Sequence, residues 1–284
     1  MRFLYRHRFL IARRVVSIGI LVLLWMGANA HLGVLTGNLS SSRLFRTVPL
    51  SDPYAVLQIL AAGQPLASTV LLGAVIVLLF YALVGGRAFC GWVCPVGIIS
   101  DGSSWIKRRF QLRGQFRVAR SARHWIMVVA LPVSAITGLA AFEWLSPVGI
   151  VQREIIYGPT LGLAVVVAAF VVADVFVLHN GWCGSLCPLG AFYSLVGRVS
   201  LARIGFQVDR CDHCGDCVVV CPEPHVIDFH EMAQKGIVGS GDCLNCARCL
   251  EVCPRDAYRF ASHFHRSAAP DLDEGDHHAT KHAA

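Results

Sequence analysis

The chain has 284 residues, 55% of them hydrophobic and only 15% charged. With glycine included roughly 64% is apolar, against about 45–50% in an average soluble domain, and mean hydropathy is +0.56. This excludes a disordered chain and an ordinary soluble domain, and it makes the net charge of +7 a signal of membrane orientation rather than of nucleic-acid binding.

A basic N-terminus, 1–14, carries Arg2, Arg6, Arg8, Arg13 and Arg14. A membrane domain, 15–200, follows. Its four apolar stretches, at about 15–35, 66–84, 124–142 and 160–178, are each roughly long enough to cross a hydrocarbon core of about 30 Å as a helix. Helix is the required geometry, because an isolated strand in lipid leaves its backbone unpaired. Five basic residues precede the first span. Two (Arg43, Arg46) lie between the first and second, eight from Arg87 to Arg123 between the second and third, and Arg153 alone between the third and fourth. The bias predicts a multi-pass protein of the bacterial inner membrane with both termini cytoplasmic. Trp92, Trp125, Trp144 and Trp182 fall near span ends, as an interfacial belt would. The first stretch has a second reading as a cleavable signal peptide ending in Ala28-Asn29-Ala30.

The second and fourth stretches both run into C-G-x-x-C-P-x-G: Cys90 and Cys94 in 90–95, Cys183 and Cys187 in 183–188. The repeat predicts two helical hairpins in parallel orientation, related by a pseudo-twofold axis along the membrane normal. Such an axis brings both motifs to one depth. Four thiolates suit one shared iron–sulfur cluster. A pair of redox-active dithiols is the alternative, and cysteines that merely pack are a third. The stretch 107–123 is rich in arginine with Trp105, Ile106 and Phe110 nearby, and reads as an amphipathic segment on anionic headgroups.

Residues 201–266 form a further domain. Cys211, Cys214, Cys217 and Cys221-Pro222 repeat as Cys243, Cys246, Cys249 and Cys253-Pro254. This is the bacterial two-cluster ferredoxin signature, in which the fourth cysteine of each run serves the other cluster. It predicts one [4Fe–4S] cluster on Cys211, Cys214, Cys217 and Cys253, and another on Cys243, Cys246, Cys249 and Cys221. Zinc frameworks pair cysteines two and two with a longer spacer. The fold class is therefore an all-α four-helix transmembrane bundle with a C-terminal α+β two-cluster ferredoxin-like domain, placed in the cytoplasm by the charge bias. No nicotinamide fingerprint and no Walker loop is present.

Membrane iron–sulfur chemistry points to quinols, whose oxidation releases two electrons and two protons. Asp174 lies well inside the fourth stretch, and intramembrane carboxylates are costly and usually functional. It is the candidate proton acceptor, with a structural hydrogen bond as its alternative. Glu143 is a weaker candidate, and His31, His124 and His179 read as interfacial. The tail 267–284, with His277, His278 and His282, reads as disordered, with weak metal binding as the alternative.

Taken with Gly37-Asn38, Ser40-Ser41-Ser42, Thr47-Val48-Pro49-Leu50, Asp52-Pro53, Gly181-Trp182-Cys183-Gly184 and Cys221-Pro222-Glu223-Pro224-His225, these motifs resemble the NapH family over almost the whole chain. Its members are ferredoxin-type membrane quinol dehydrogenase components of periplasmic nitrate reductase systems. The resemblance implies quinol oxidation, with electrons passed to a periplasmic NapG-like ferredoxin-type partner and on to nitrate reductase. The outer loop 37–64 is then a candidate docking surface for that partner. Polyferredoxin maturation or regulatory proteins share the motifs, and a non-catalytic membrane anchor is the other class.

Overall fold

The computed structural model describes residues 7–29, 33–111, 118–158, 161–177 and 181–263. His31, His179, Arg113, Arg117 and the histidine-bearing tail lie outside them.

The first helix, α1, spans Arg8–Asn29. Among the described residues it is the one helix both long and apolar enough to cross a membrane by length and composition. It ends well short of residue 35, because a three-stranded antiparallel meander begins there: β1 (Leu35–Gly37), β2 (Ser41–Leu44) and β3 (Val48–Ser51). The sheet corrects the expectation of an all-helical first half. Its register pairs Leu35 with Leu44, and Ser41 with Ser51.

Asp52 caps the next helix, α2 (Pro53–Ala61), its carboxylate accepting from the Tyr54 amide while Pro53 opens the helix. Both choices suit a helix start, where an amide needs an acceptor and proline loses nothing. The second and third apolar stretches become α3 (Ser68–Val84) and α6 (Ser121–Thr137). At 17 residues each, they are about 26 Å long. The third stops early because Gly138 takes a left-handed conformation, leaving a short α7 (Ala141–Leu145) and then α8 (Pro147–Tyr157). The fourth stretch is α9 (Leu161–Val172) ending in a π-helical turn, Ala173–Val177.

Each CX3CP motif is a helix–break–helix: α4 (Ala88–Trp92) into α5 (Pro95–Phe110), and α10 (Gly181–Ser185) into α11 (Pro188–Arg198). The two breaks match bond for bond. The Cys94 amide donates to Phe89 O at 3.0 Å and the Cys187 amide to Trp182 O at 3.1 Å. The motif glycine has a packing reason. A Cβ on Gly97 would stand 2.8 Å from Cys90 O, and one on Gly190 would stand 3.3 Å from Cys183 O.

The C-terminal module pairs β4 (Ala202–Phe206) with β5 (Tyr258–Ser262). Between them come α12 (Asp216–Val220), α13 (Phe229–Lys235) and α14 (Arg248–Val252). Its core gathers Ile204, Phe206, Met232, Val238 and Tyr258 around the cysteines. Burying side chains of this size stabilises by about 1.5–3 kcal/mol each. A second core, in the helical half, gathers Tyr54, Tyr81, Phe89, Val96, Phe142, Phe170 and Tyr193 around Cys94 and Cys187.

Candidate metal centres and redox site

The ferredoxin motifs turn their thiols inward by local backbone geometry. His213 and Gly215 adopt positive φ in the first motif, and Asn245 and Ala247 do so at the matching positions of the second. A left-handed residue between cysteines reverses the chain so that successive thiols face one point. Helices α12 and α14 then carry the chain to Cys221-Pro222 and Cys253-Pro254. Cys211, Cys214, Cys217 and Cys253 line one cavity of about 260 Å³, part of it open solvent, with Gly215, Phe229 and Tyr258. Cys253 thus joins the motif before its own. Cys221 in turn lies within electrostatic reach of Cys243 and Cys246, and Cys249 within reach of Cys246, Cys243 and Cys221, and also of Cys217. Tyr258 Oη donates to Cys217 Sγ at 3.3 Å and the Ala257 amide to Cys253 Sγ at 3.4 Å.

The CX3CP cysteines are also brought together. Cys183 faces Cys187, Cys94 and Cys90, although its two motifs are far apart in sequence. Cys94 and Cys187 each sit at a helix N-cap, where the amides of Val96 and Gly97, or of Leu189 and Gly190, point at the sulfur. Burial pushes all four thiols up, Cys187 to about 12, and it lifts Cys243 to about 11. A cationic centre is what would stabilise such thiolates, since a metal deprotonates a coordinating thiol outright.

Among the described residues no three His, Cys, Asp or Glu side chains converge on a single-ion site. A cube makes no such demand, because each thiolate binds its own iron. Three buried donors near these cysteines have no hydrogen-bond partner among the described residues: Arg87 Nε, Trp182 Nε1 and Arg203 Nε. The sulfides of a [4Fe–4S] cluster are acceptors of the kind they lack, so the residues present fit the group.

Between the two cysteine assemblies runs a buried charge network that sequence reasoning missed. Arg87, 0% exposed, pairs with Glu223 at 3.0 Å and stands 4.0 Å from Asp242. It also donates to Cys183 O at 3.1 Å and Asp242 O at 3.2 Å. Arg123, 1% exposed, pairs with Asp242 and donates to Gly184 O at 3.1 Å. His225 Nε2 lies 2.9 Å from Asp242. Burial opposes the Asp242 carboxylate, but hydrogen bonds from His225, Ser194 and Arg123 hold it well below the usual range. Arg123 therefore does not face headgroups, as the reading of 107–123 had it, and Arg87 is buried in the same network. Backbone contacts reinforce the junction: Trp92 Nε1 donates to Asn245 O at 3.1 Å, and Asn245 Nδ2 to Val84 O at 3.0 Å. A Cβ on Gly91 would meet Leu244 O at 3.0 Å, and one on Gly184 would meet the Glu223 carboxylate at 3.1 Å. The glycine of each C-G pair is thus where the ferredoxin module seats.

Helix α1 closes over the same junction. Glu251 accepts from the amides of Phe9 and Leu10, Arg13 Nε donates to Gly91 O at 2.6 Å, and Arg14 pairs with Asp101. Cleavage after Ala30 would remove all of these contacts.

Asp174, in the π-helical turn, is buried. It accepts from the Trp182 amide at 2.9 Å and lies 3.5 Å from Ser100 Oγ. It ties the fourth apolar segment to the second CX3CP motif. Glu143 accepts from Ser40 Oγ at 2.7 Å. A second buried acid went unnoticed in the sequence. Asp52 has no cationic partner among the described residues; Tyr193 Oη reaches it at 3.5 Å. Burial, and then the charge of Glu143, push its carboxyl up to about 7. Tyr193 stacks on Phe89, next to Cys90, with centroids 5.2 Å apart. Within the loop 37–64, residues 51–56 are buried, while Arg43, Phe45–Val48, Leu57, Leu60 and Gln64 are exposed, with Phe45 and Arg46 at a left-handed turn.

Comparison with known proteins fits this geometry. A "4Fe-4S binding domain" model matches twice, at 66–113 and 159–207, once over each CX3CP motif, and a "4Fe-4S dicluster domain" model matches 210–257. The ferredoxin-type protein NapH of Escherichia coli (strain K12) is 39% identical over 266 residues, covering 92% of each chain. NapH of Haemophilus influenzae is 38% identical over 93% of each. The methylamine utilization ferredoxin-type protein MauN of Paracoccus denitrificans is 41% identical over 84% of each. No solved structure matches. Near full-length similarity, with iron–sulfur domain matches over all twelve cysteines, makes this chain a member of the ferredoxin-type NapH family of electron-transfer proteins, whose relatives include MauN.

Proposed function

We propose that the chain is a multi-pass membrane quinol dehydrogenase component that draws electrons from the quinol pool. It passes them through iron–sulfur centres toward a periplasmic NapG-like ferredoxin-type partner and nitrate reductase. In this reading 15–200 is the membrane domain with four spans, 201–266 is the ferredoxin domain, and both lie as the charge bias sets them, termini cytoplasmic. Cys211, Cys214, Cys217 and Cys253 hold one [4Fe–4S] cluster. Cys243, Cys246, Cys249 and Cys221 hold a second, and Cys90, Cys94, Cys183 and Cys187 a third. When bound, these clusters supply one-electron steps.

The observation that carries the reading is the junction itself: the CX3CP thiols and the second ferredoxin ligand set meet across Arg87, Glu223 and Asp242. The membrane placement is supported by apolar side chains that face outward from each shorter helix, among them Leu72, Leu79, Val129, Ile136, Leu161 and Val165. Surface of this kind costs about 25 cal/mol per Å² in water, a cost that hydrocarbon removes. Glu251 at the start of α1 supports a common side for the N-terminus and the ferredoxin module. The sheet leans on α3, where a Cβ at Gly73 would meet Pro49 at 3.1 Å. Non-helical backbone at membrane depth is tolerated when protein covers it.

Two protons leave per hydroquinone. Asp174 is one acceptor in this reading and Asp52 the other, with Tyr193 linking Asp52 toward the Cys90 end. The partner docks at the exposed Phe45–Arg46 turn. Iron quantitation and EPR on anaerobically purified protein, with and without quinol, test the proposal: three cubane centres, reduced by quinol, are expected. Unchanged iron in a Cys90→Ser, Cys183→Ser double variant removes the shared cluster. Centres that stay oxidised in excess quinol of matched potential remove the dehydrogenase. Asp174→Asn with unaltered quinol oxidation and pH profile removes that acceptor.

The similar identity to MauN, named for methylamine utilization, supports a second reading in which the same carrier serves another terminal enzyme. The redox protein that exchanges electrons with the reduced chain decides between them.

A further inference from the structure

Arg87 is not itself a thiolate, yet it stands where both halves of the molecule meet. Its guanidinium is shared between Glu223 and Asp242 of the ferredoxin module and Cys183 O of the second CX3CP motif. It lies beside Cys90 of the first motif, and its charge also reaches Cys243. Its Nε is buried without a hydrogen-bond partner among the described residues. Arginine does not lose its proton in a protein, so this is a permanent positive charge, fully removed from water. Charges act farther in such surroundings than in solvent, and hydrogen bonds and net charge around the sulfurs set cluster potentials.

We propose that Arg87 is a positioning residue that raises the reduction potentials of two centres together, the CX3CP centre and the ferredoxin centre of Cys243, while the centre of Cys211 escapes its influence. The proposal rests on the reading that the four CX3CP thiolates hold a cluster. The first ferredoxin site is different in kind. Cys214 is exposed and the cavity it lines opens to solvent, where water screens a distant charge. Glu223 has the opposite role. Its carboxylate faces the same junction at 3.0 Å from Arg87 and lowers the potentials that Arg87 raises. The pair thus sets the level of the two centres together across the interface, Arg87 upward and Glu223 downward.

The test is an EPR-monitored redox titration of the full chain, purified anaerobically in detergent, with the centres told apart by Cys90→Ser and Cys253→Ser. Arg87→Gln is expected to lower the midpoints of the CX3CP and Cys243 centres and leave the Cys211 centre in place. Arg87→Lys should restore most of the fall. Glu223→Gln should move the same two centres upward, and the double variant should return close to the wild type. A merely structural arginine gives no such opposite pair of shifts. Equal movement of all three centres, or none, overturns the proposal. If Arg87→Gln fails to assemble its clusters, the Glu223→Gln shift decides: upward in two centres upholds it, no shift ends it. Iron for two clusters only would remove the CX3CP reading while leaving Arg87 to be judged on the Cys243 centre, where a fall upholds its role and constancy ends it.

Discussion

The chain carries two internal duplications, and they gather thiols in opposite ways. In the helical half each repeat brings two cysteines to a common point, using a helix that breaks after one turn and a proline that restarts it. In the ferredoxin half each repeat keeps three cysteines and lends the fourth to its twin, using left-handed residues between thiols. The first device gives one deep site: Cys94 and Cys187 are 7% and 6% exposed. The second gives two sites of unequal depth, with Cys214 exposed and Cys246 buried. The sites thus differ in depth, the CX3CP thiols deepest and the site of Cys214 the most open.

The crossing in the ferredoxin half makes the sharpest break point. Cys253→Ser should remove the cluster of Cys211, Cys214 and Cys217 while sparing that of its sequence neighbours Cys243, Cys246 and Cys249. EPR of the variant checks this, and loss of the neighbouring cluster instead would refute the crossing. Next in size is the seam between the halves. Arg87→Met leaves the buried Glu223 facing only the neutral or charged ring of His225, whose Nδ1 lies 3.5 Å away, and breaking a buried ion pair costs about 3–5 kcal/mol. The thermal midpoint in detergent should fall together with protection of the junction in hydrogen exchange.

The helical half carries its own titration. Asp52 has its carboxyl raised to about 7 from 3.8, so the native state holds a proton that the unfolded chain releases. Stability from that neutral carboxyl is whole below about 4 and declines as pH rises to about 7. The decline amounts to at most about 4 kcal/mol. Asp52→Asn should flatten the thermal midpoint across this window, and a persisting slope would point to other groups. Smallest is the contrast between matched left-handed positions. Gly215→Ala meets no neighbouring atom and should cost about 1 kcal/mol from backbone strain alone. Ala247→Gly relieves the same strain and should be neutral to mildly stabilising in denaturant titration.

Both cysteine gatherings were legible before any coordinates, because ligands a few residues apart have little choice but to face one point. The apolar stretches were legible as elements but not in their limits. The third ends at Gly138, and the first has given way to a sheet by Leu35. Serine-rich text such as 40–42 reads as loop, and becomes strand only because Val48–Ser51 lies alongside it. Arg87 and Arg123 read as interfacial charges in a basic loop. Nothing local distinguishes them from Arg108 or Arg109.

Sequence alone determined the four cysteine motifs, the duplication of each half and the electron-carrying chemistry, since these follow from short spacings and composition. Tertiary structure decided how the halves join. The partners of Arg87 lie 96, 136 and 155 residues away, and the value of a charge depends on the water it has lost, which no spacing along the chain records. It likewise decided that Asp52, a helix cap by its sequence, becomes a buried acid beside Tyr193, because only packing removes the solvent that would keep it ordinary.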